Sequence, residues 1–285
     1  MAASSATSST SDREGIQHRA WLGGHEVDVG LAVAEAADWV AGSRATVVLT
    51  GAGISTDSGI PDFRGKNGLW TNNPDAEKAS TITHYLTSPA VRRAAWRIRL
   101  ASPAWAARPN AGHLALVELE RQGRLDTVIT QNTDGLHQLA GARPDRVVEV
   151  HGSMRGVMCV DCDDRADMGQ ALARVEAGED DPPCRGCGGI LKSTTVLFGE
   201  GLDPADTEAA QAAAERCDLM LAVGTTLNVF PVAYLPRVAR RAGARLVIVN
   251  GGPTDQDDTA DAVLWGSISD LLPALVAAPP APPGA

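Results

Sequence analysis

Five short apolar runs rich in β-branched residues each lead into glycine accompanied by small polar or titratable side chains. Residues 46–50 run into GAGISTDSG, 127–130 into QNTDGLH, 146–150 into HG, 219–223 into GTTLN and 246–250 into GG, and residues 262–265 are a sixth strand candidate. Ala-rich helical stretches separate these runs, and that alternation predicts an α/β fold with a parallel sheet. In a doubly wound sheet the carboxyl ends of the strands share one edge, and ligands bind there at the point where strand order reverses. Loops after strands are polar and glycine-rich in general. Five in succession, one of them carrying a lone histidine, point to a shared site.

The 285 residues, 44% of them hydrophobic, supply apolar surface for a large core, as one big domain or two modest ones. A net charge of −10 argues against non-specific binding to nucleic acid or anionic membrane, both of which need a basic surface. No apolar run approaches the roughly 18 residues that span a bilayer. The opening MAASSATSST has neither the basic nor the apolar region of a secretory signal. These features predict a cytoplasmic protein. The Ser/Thr/Ala-rich residues 1–18 and the Pro/Ala-rich residues 276–285 read as disordered tails.

The GAGISTDSG loop fits the dinucleotide fingerprint at Gly51 and Gly53 but has Thr56 at the sixth position, where that pattern wants glycine. Gly51 and Gly53 would let the backbone approach a pyrophosphate, with N–H groups of the following helix facing the charge. A tight strand-to-helix turn without a ligand is the competing reading. No Gly-Lys-Ser/Thr follows, so this is not a Walker A loop.

Four of the five cysteines form two CxxC pairs, Cys159/Cys162 and Cys184/Cys187. Each pair can place two thiolates on one knuckle, and two knuckles complete a tetrahedral Zn²⁺ site. Two redox-active or disulfide-bonded pairs are the alternative. Four thiolates close the coordination shell, so the metal would be structural and zinc hydrolysis drops out. Cys217 stands alone before an apolar strand and reads as a small core residue.

Taken together, GAGISTDSGIPDFRG (51–65), TQNTDGLH (130–137), HG (151–152), the paired CxxC motifs, VLFGE (196–200), GTTLNVFP (224–231) and VN (249–250) resemble the sirtuin family of NAD-dependent protein deacylases, in its bacterial Sir2-like form. The resemblance implies a catalytic domain over residues 19–275. Its Rossmann-like parts would fall near 28–65, 109–152 and 193–275, with a helical module near 66–108 and a zinc-ribbon module near 153–192. It implies NAD as co-substrate, one structural Zn²⁺, and removal of acyl groups, acetyl by default, from lysine side chains of proteins. The partners would be acyl-lysine proteins or peptides, with no nucleic acid or membrane, and the protein would act as a monomer.

Carried over by position, Gly51, Ala52, Gly53, Ser55 and Thr56 resemble the NAD phosphate loop, and Asp62, Phe63, Arg64 and Trp70 belong to the segment closing over nicotinamide and ribose. Gln131, Asn132, Thr133 and Asp134 resemble the residues around the nicotinamide ribose and carboxamide. Gly224, Thr225, Thr226, Asn250, Gly251, Gly252 and Ile268 would line the adenosine end. Val196 and Phe198 would flank the acyl-lysine tunnel, and Gly199 and Glu200 open a segment that would pair with substrate backbone. Asn132 and His151 are the catalytic candidates. Imidazole titrates near working pH, so His151 at a strand end suits a general base that deprotonates a ribose hydroxyl.

The chain departs from the family pattern in three places. Ser193-Thr194 stand where many relatives carry Arg-Pro, and GTT replaces GTS at 224–226. Trp96 and Arg99 occupy the register of a Tyr-x-x-Arg pair that reads acidic acyl groups in some relatives; as i and i+3 on a helix they also suit plain amphipathic packing. Three other activities share parts of the pattern: removal of succinyl or other acyl groups, mono-ADP-ribosyl transfer from NAD to protein, and a catalytically idle NAD- or ADP-ribose-binding module.

Overall fold

The computed structural model describes residues 18–62, 68 and 78–277. Two short strands, β1 (Arg19–Leu22) and β2 (His25–Val27), precede helix α1 (Val29–Gly42), which begins where the Asp28 carboxylate accepts from Leu31 N at 3.1 Å. Strand β3 (Thr46–Thr50), every residue buried, leads into a 3₁₀ helix at Ala52–Ser58. Helices α2 (Ile82–Thr87) and α3 (Pro89–Leu100) follow. Helix α4 (Ala111–Arg121) starts at Asn110, whose side chain takes the N–H groups of Gly112 and His113. The chain continues through β4 (Leu125–Thr130), α5 (Leu136–Ala140) and β5 (Val147–Glu149). A small unit comprises β6 (Gly156–Cys159), β7 (Arg165–Asp167), α6 (Met168–Glu176) and β8 (Leu191–Ser193). The remainder is α7 (Pro204–Arg216), β9 (Leu219–Val223), α8 (Leu235–Arg241), β10 (Arg245–Asn250), β11 (Ala262–Trp265) and α9 (Ile268–Val276).

The main sheet runs β2-β1-β11-β10-β9-β3-β4-β5. From β11 to β5 every pairing is parallel. The chain moves outward from β3 through β4 to β5, then returns to the far side of β3 and moves outward again through β9, β10 and β11. Strand order therefore reverses between β3 and β9, which makes their carboxyl ends the crevice of a Rossmann-like sheet. Both faces are covered because alternate strand residues point opposite ways. Val48, Val128 and Leu221 pack under α1, α4 and α9, while Val47, Leu49, Ile129 and Met220 pack under α7 and α8.

The sheet is not wholly parallel. β1 and β2 form an antiparallel hairpin on the β11 edge, turning at Gly23-Gly24 with φ of 53° and 82°. Trp21 packs on Trp265 at 4.6 Å between ring centroids, and the Arg19 guanidinium lies over both rings. The Gly-Gly pair was the available hairpin signal.

The small unit is a three-stranded antiparallel sheet, β7-β6-β8. Its core joins Val157, Met168, Leu172 and Leu191 to Trp96 of α3, so the helical excursion and the cysteine-bearing unit share one apolar cluster. Among the described residues no helix is long and apolar enough to cross a membrane.

Candidate active site and metal centre

The loops after β3 and β9 touch backbone to backbone. Gly51 N donates to Val223 O at 3.0 Å, Gly53 N to Gly224 O at 2.8 Å, and Gly224 N to Val249 O at 2.9 Å. A Cβ on Gly53 would stand 2.7 Å from Gly224 Cα, and one on Gly224 would stand 2.4 Å from Ile54 N, where φ is also +64°. These glycines thus have an immediate reason other than approach to a phosphate: without them the crevice loops could not interlock. Gly53 N is itself spent in that contact, and the turn that follows is a 3₁₀ helix rather than the start of a long α-helix.

A buried polar network fastens the loop after β4 to the same place. Asn132 Nδ2 donates to Gly51 O at 3.0 Å and to Ser55 Oγ at 3.2 Å, Ser55 Oγ donates to Asp134 Oδ2 at 2.8 Å, and Gln131 Nε2 donates to Thr225 Oγ1 at 2.9 Å. The other oxygen of Asp134 accepts from Leu136 N at 2.9 Å, so one carboxylate ties the turn before α5 to the glycine loop. Ser55 and Asp134 lie behind the crevice wall, which they hold.

The crevice is a cavity of about 750 Å³, a size that suits a nucleotide-sized ligand. The 51–56 loop contributes Ala52 and Thr56, and Asp62 and Thr133 also face the cavity. Thr226, Asn250, Gly251, Gly252 and Ile268 line the end beyond β9 and β10. Phe63, Arg64 and Trp70 lie outside the described residues.

His151 lies two residues beyond β5 and faces the same cavity. Its Nδ1 is 3.1 Å from Gln131 O, and a carbonyl can only accept, so Nδ1 carries the proton and Nε2 keeps its lone pair. Burial pushes the imidazole below its ordinary value, with the Gln131 hydrogen bond pulling the other way. His151 is therefore neutral near pH 7 with a free basic nitrogen. Gly152 has φ +69°, and a Cβ there would meet Thr194 O at 2.2 Å. The glycine lets the segment after β8 cross directly over the histidine, where Val196 N donates to His151 O at 2.8 Å.

That crossing segment forms the apolar end of the cavity. Val196 and half-exposed Phe198 face it together with Ala95, Ile98 and Arg99 of α3. Phe198 N donates to Ser80 O at 2.8 Å and Ile82 N to Phe198 O at 3.0 Å, while Glu200 N turns back to Leu197 O at 2.9 Å. The Phe198 backbone is thus already paired within the chain. The Glu200 carboxylate accepts from Leu197 N at 2.7 Å and pairs with Lys192 Nζ at 3.2 Å. Lys192, only 3% exposed, also donates to Ser193 O and Thr195 O and braces this lip from beneath. Nothing in the sequence pattern marked that lysine.

Trp96 and Arg99 part company. Trp96 is fully buried against the cysteine-bearing unit, away from the cavity, as amphipathic packing requires. Arg99 faces the cavity, its guanidinium 5.7 Å from the Tyr85 ring, and its Nη1 has no hydrogen-bond partner among the described residues.

The four sulfurs of Cys159, Cys162, Cys184 and Cys187 lie within 4.8 Å of one another, with Cys159–Cys187 at 3.5 Å and Cys162–Cys184 at 3.8 Å. Four sulfurs bound about 2.3 Å from a tetrahedral Zn²⁺ stand about 3.8 Å apart, whereas a disulfide needs about 2.05 Å. The cluster fits the metal, and all four cysteines are free thiols with no disulfide between them. Asp161 N donates to Cys159 Sγ and Gly189 N to Cys187 Sγ, each at 3.4 Å, and the residue after each second cysteine, Asp163 or Gly188, has positive φ. The left-handed residue after the second cysteine is common to both knuckles. With all four positions taken by thiolates, a bound ion holds structure and offers no place to a substrate.

Fold and site together define an α/β protein with a ligand crevice at its switch point and an inserted four-thiolate module. The chain belongs to the Sir2 family, whose model matches residues 51–231. It is 52% identical to NAD-dependent protein deacetylase 2 of Streptomyces coelicolor, over 82% of this chain and 98% of that one. It is 42% identical to NAD-dependent protein deacylase 2 of Archaeoglobus fulgidus, over 86% of this chain and 94% of that one. A solved structure described as Sir2-p53 peptide-NAD+ superposes with a TM-score of 0.75 at 36% identity, covering 84% of this chain and 94% of the other.

Proposed function

We propose that this chain is an NAD-dependent protein-lysine deacylase that removes acetyl groups, yielding nicotinamide, O-acyl-ADP-ribose and free lysine. The observation that carries the reading is His151, neutral and with Nε2 free, on the wall of a cavity shared by the interlocked glycine loops and the apolar lip. NAD takes the glycine-loop side, with its ribose toward Asn132 and His151. The acyl-lysine enters from the lip formed by Val196, Phe198, Gly199 and Glu200. The relatives named deacetylase and deacylase support the assignment.

The chemistry follows from the two substrates. Nicotinamide leaves a ribose carbon that gains positive character, and the acyl oxygen of the lysine amide attacks that carbon. A ribose hydroxyl must then lose its proton to attack the former amide carbon, and His151 Nε2 is the acceptor. Nicotinamide is expelled and no hydride moves, so NAD is consumed. The crevice orients both substrates, a contribution that needs only fixed geometry. The four-thiolate site would hold Zn²⁺ and keep the β6–β8 sheet and the lip after β8 in shape.

The protein works as a monomer in the cytoplasm, where free thiolates remain available to the metal. The catalytic unit spans residues 19–275, with the cysteine-bearing module inserted near 153–192. Mass spectrometry of NAD reactions with one peptide bearing acetyl, propionyl, succinyl or long-chain acyl-lysine tests the reading. Equal amounts of nicotinamide and O-acetyl-ADP-ribose are expected from the acetyl peptide. Nicotinamide release with ADP-ribose attached to protein would replace the deacylase reading with mono-ADP-ribosyl transfer, and bound NAD without turnover would leave a binding module.

A further inference from the structure

Beneath the crevice lies a buried polar chain of Thr50, Thr130 and His137, none of which lines the cavity. Thr50 and Thr130 end neighbouring parallel strands in register, and Thr50 Oγ1 donates to Thr130 Oγ1 at 2.8 Å. His137 Nε2 lies 3.0 Å from Thr50 Oγ1, and Asn132 N donates to Thr130 Oγ1 at 3.1 Å. Thr50, Thr130 and His137 are no more than 2% exposed. With its proton given to Thr130, Thr50 can only accept from the imidazole, so His137 Nε2 bears a hydrogen. The chain thus runs in one direction, from His137 to Thr50 to Thr130, and meets the N–H of Asn132 at its end. His113 packs on His137 at 5.0 Å between ring centroids, and burial holds both rings neutral.

The Asn132 N–H and the Gln131 carbonyl belong to the same peptide unit. A trans peptide is planar, with N–H and C=O pointing opposite ways. Holding the N–H on Thr130 Oγ1 therefore aims the C=O in the reverse direction, where it accepts from His151 Nδ1 at 3.1 Å. We infer that His137, Thr50 and Thr130 are positioning residues that orient the Gln131–Asn132 peptide and through it lock His151 in the tautomer with Nε2 free. The Asn132 side chain is held separately, on Gly51 O and Ser55 Oγ. The inference deepens the proposed function, because it rests on His151 acting as the base.

Thr130→Val keeps the shape and removes the acceptor, while Thr130→Ser restores it. In the acetyl-peptide reaction, Thr130→Val is expected to lower product formation by about tenfold to a hundredfold, as misplaced catalytic groups do. Nicotinamide exchange needs no base and should stay within about twofold, with the melting temperature lowered by the unpaired Thr50 hydroxyl and Asn132 N–H and with Thr130→Ser close to wild type. Nitrogen NMR of the His151 imidazole supplies a readout independent of turnover: one tautomer in wild type and in Thr130→Ser, a mixture in Thr130→Val. A single tautomer in Thr130→Val overturns the inference. So does a loss of exchange and product formation in equal measure that Thr130→Ser does not restore. If wild type turns over no acyl peptide yet shows the tautomer change, the proposed function fails and the positioning role stands.

Discussion

The crevice and the cysteine-bearing module solve the same problem, holding irregular loops in fixed positions, by opposite means. Around the crevice, Gly51, Gly53 and Gly224 interlock through backbone hydrogen bonds, and Asn132, Asp134 and Ser55 tie the adjoining loops with buried side chains. Those loops grow from strands β3, β4 and β9, packed on both faces by large apolar clusters. The module has three short strands and one helix over a small core, in which two of the buried residues are the cysteines Cys159 and Cys184 themselves. The crevice is shaped by the sheet and its interlocked loops, whereas the module would use an ion held by its four thiolates to draw its knuckles together. The two regions meet at α3, which sends Trp96 into the module and presents Ala95, Ile98 and Arg99 to the cavity.

Metal removal should separate the regions most sharply. Structural Zn²⁺ contributes on the order of 10 kcal/mol to small domains of this kind. A chelator, or Cys184→Ser, is expected to abolish deacylation and to expose β6–β8 and α6 to hydrogen exchange while β3, β4 and β9 stay protected. Simultaneous loss of protection in both would erase the distinction. Trp96→Ala comes next, at about 3–5 kcal/mol for a large side chain lost from a core. Because Trp96 joins the regions, its variant should lower the melting temperature and turnover together, which thermal denaturation and steady-state kinetics would check.

On the crevice side, Gly224→Ala forces a Cβ against Ile54 N in a left-handed backbone conformation, which by itself costs about 1–2 kcal/mol. It should raise the KM for NAD well above any change in the KM for acyl peptide, whereas equal changes would show that the loops do not favour one substrate. The smallest effects concern pH. Burial depresses His113 to about 4 and His137 to about 3. Below about pH 6.5 the unfolded chain takes up protons that the folded one refuses, so stability is full above that value and declines as pH falls toward 4. Denaturation midpoints measured across that window should fall steadily, and a flat profile would contradict neutral buried rings. The acid limb of kcat/KM should likewise lie below about 6.5, because His151 is also depressed.

Features with a local chemical signature were legible in the sequence. Strands β3, β9 and β11 fall at the expected bounds, each an apolar run whose carboxyl end is marked by glycine. The CxxC spacing announced a tetrahedral cluster, and His151-Gly152 announced a histidine at the sheet edge. What stayed hidden depends on partners distant in sequence. The edge hairpin β1–β2 is stabilised by pairing with β11, more than 200 residues away, and only Gly23-Gly24 hinted at it. The need for glycine at 51 and 53 comes from the backbone of Gly224, which no local pattern contains. Lys192 under the lip and the His137–Thr50–Thr130 chain are buried polar contacts across separate elements, which neither hydrophobic periodicity nor motif spacing encodes.

One neutral histidine at the switch-point crevice, His151, is the proposed base of an NAD-consuming deacylation. His151→Ala tests it most directly when NAD binding and O-acetyl-ADP-ribose formation are measured on the same sample. NAD is expected to bind the variant with nearly wild-type affinity, and product formation to fall by about a hundredfold to ten-thousandfold. Wild-type product formation by the variant would contradict that role, because no base would then be needed at position 151.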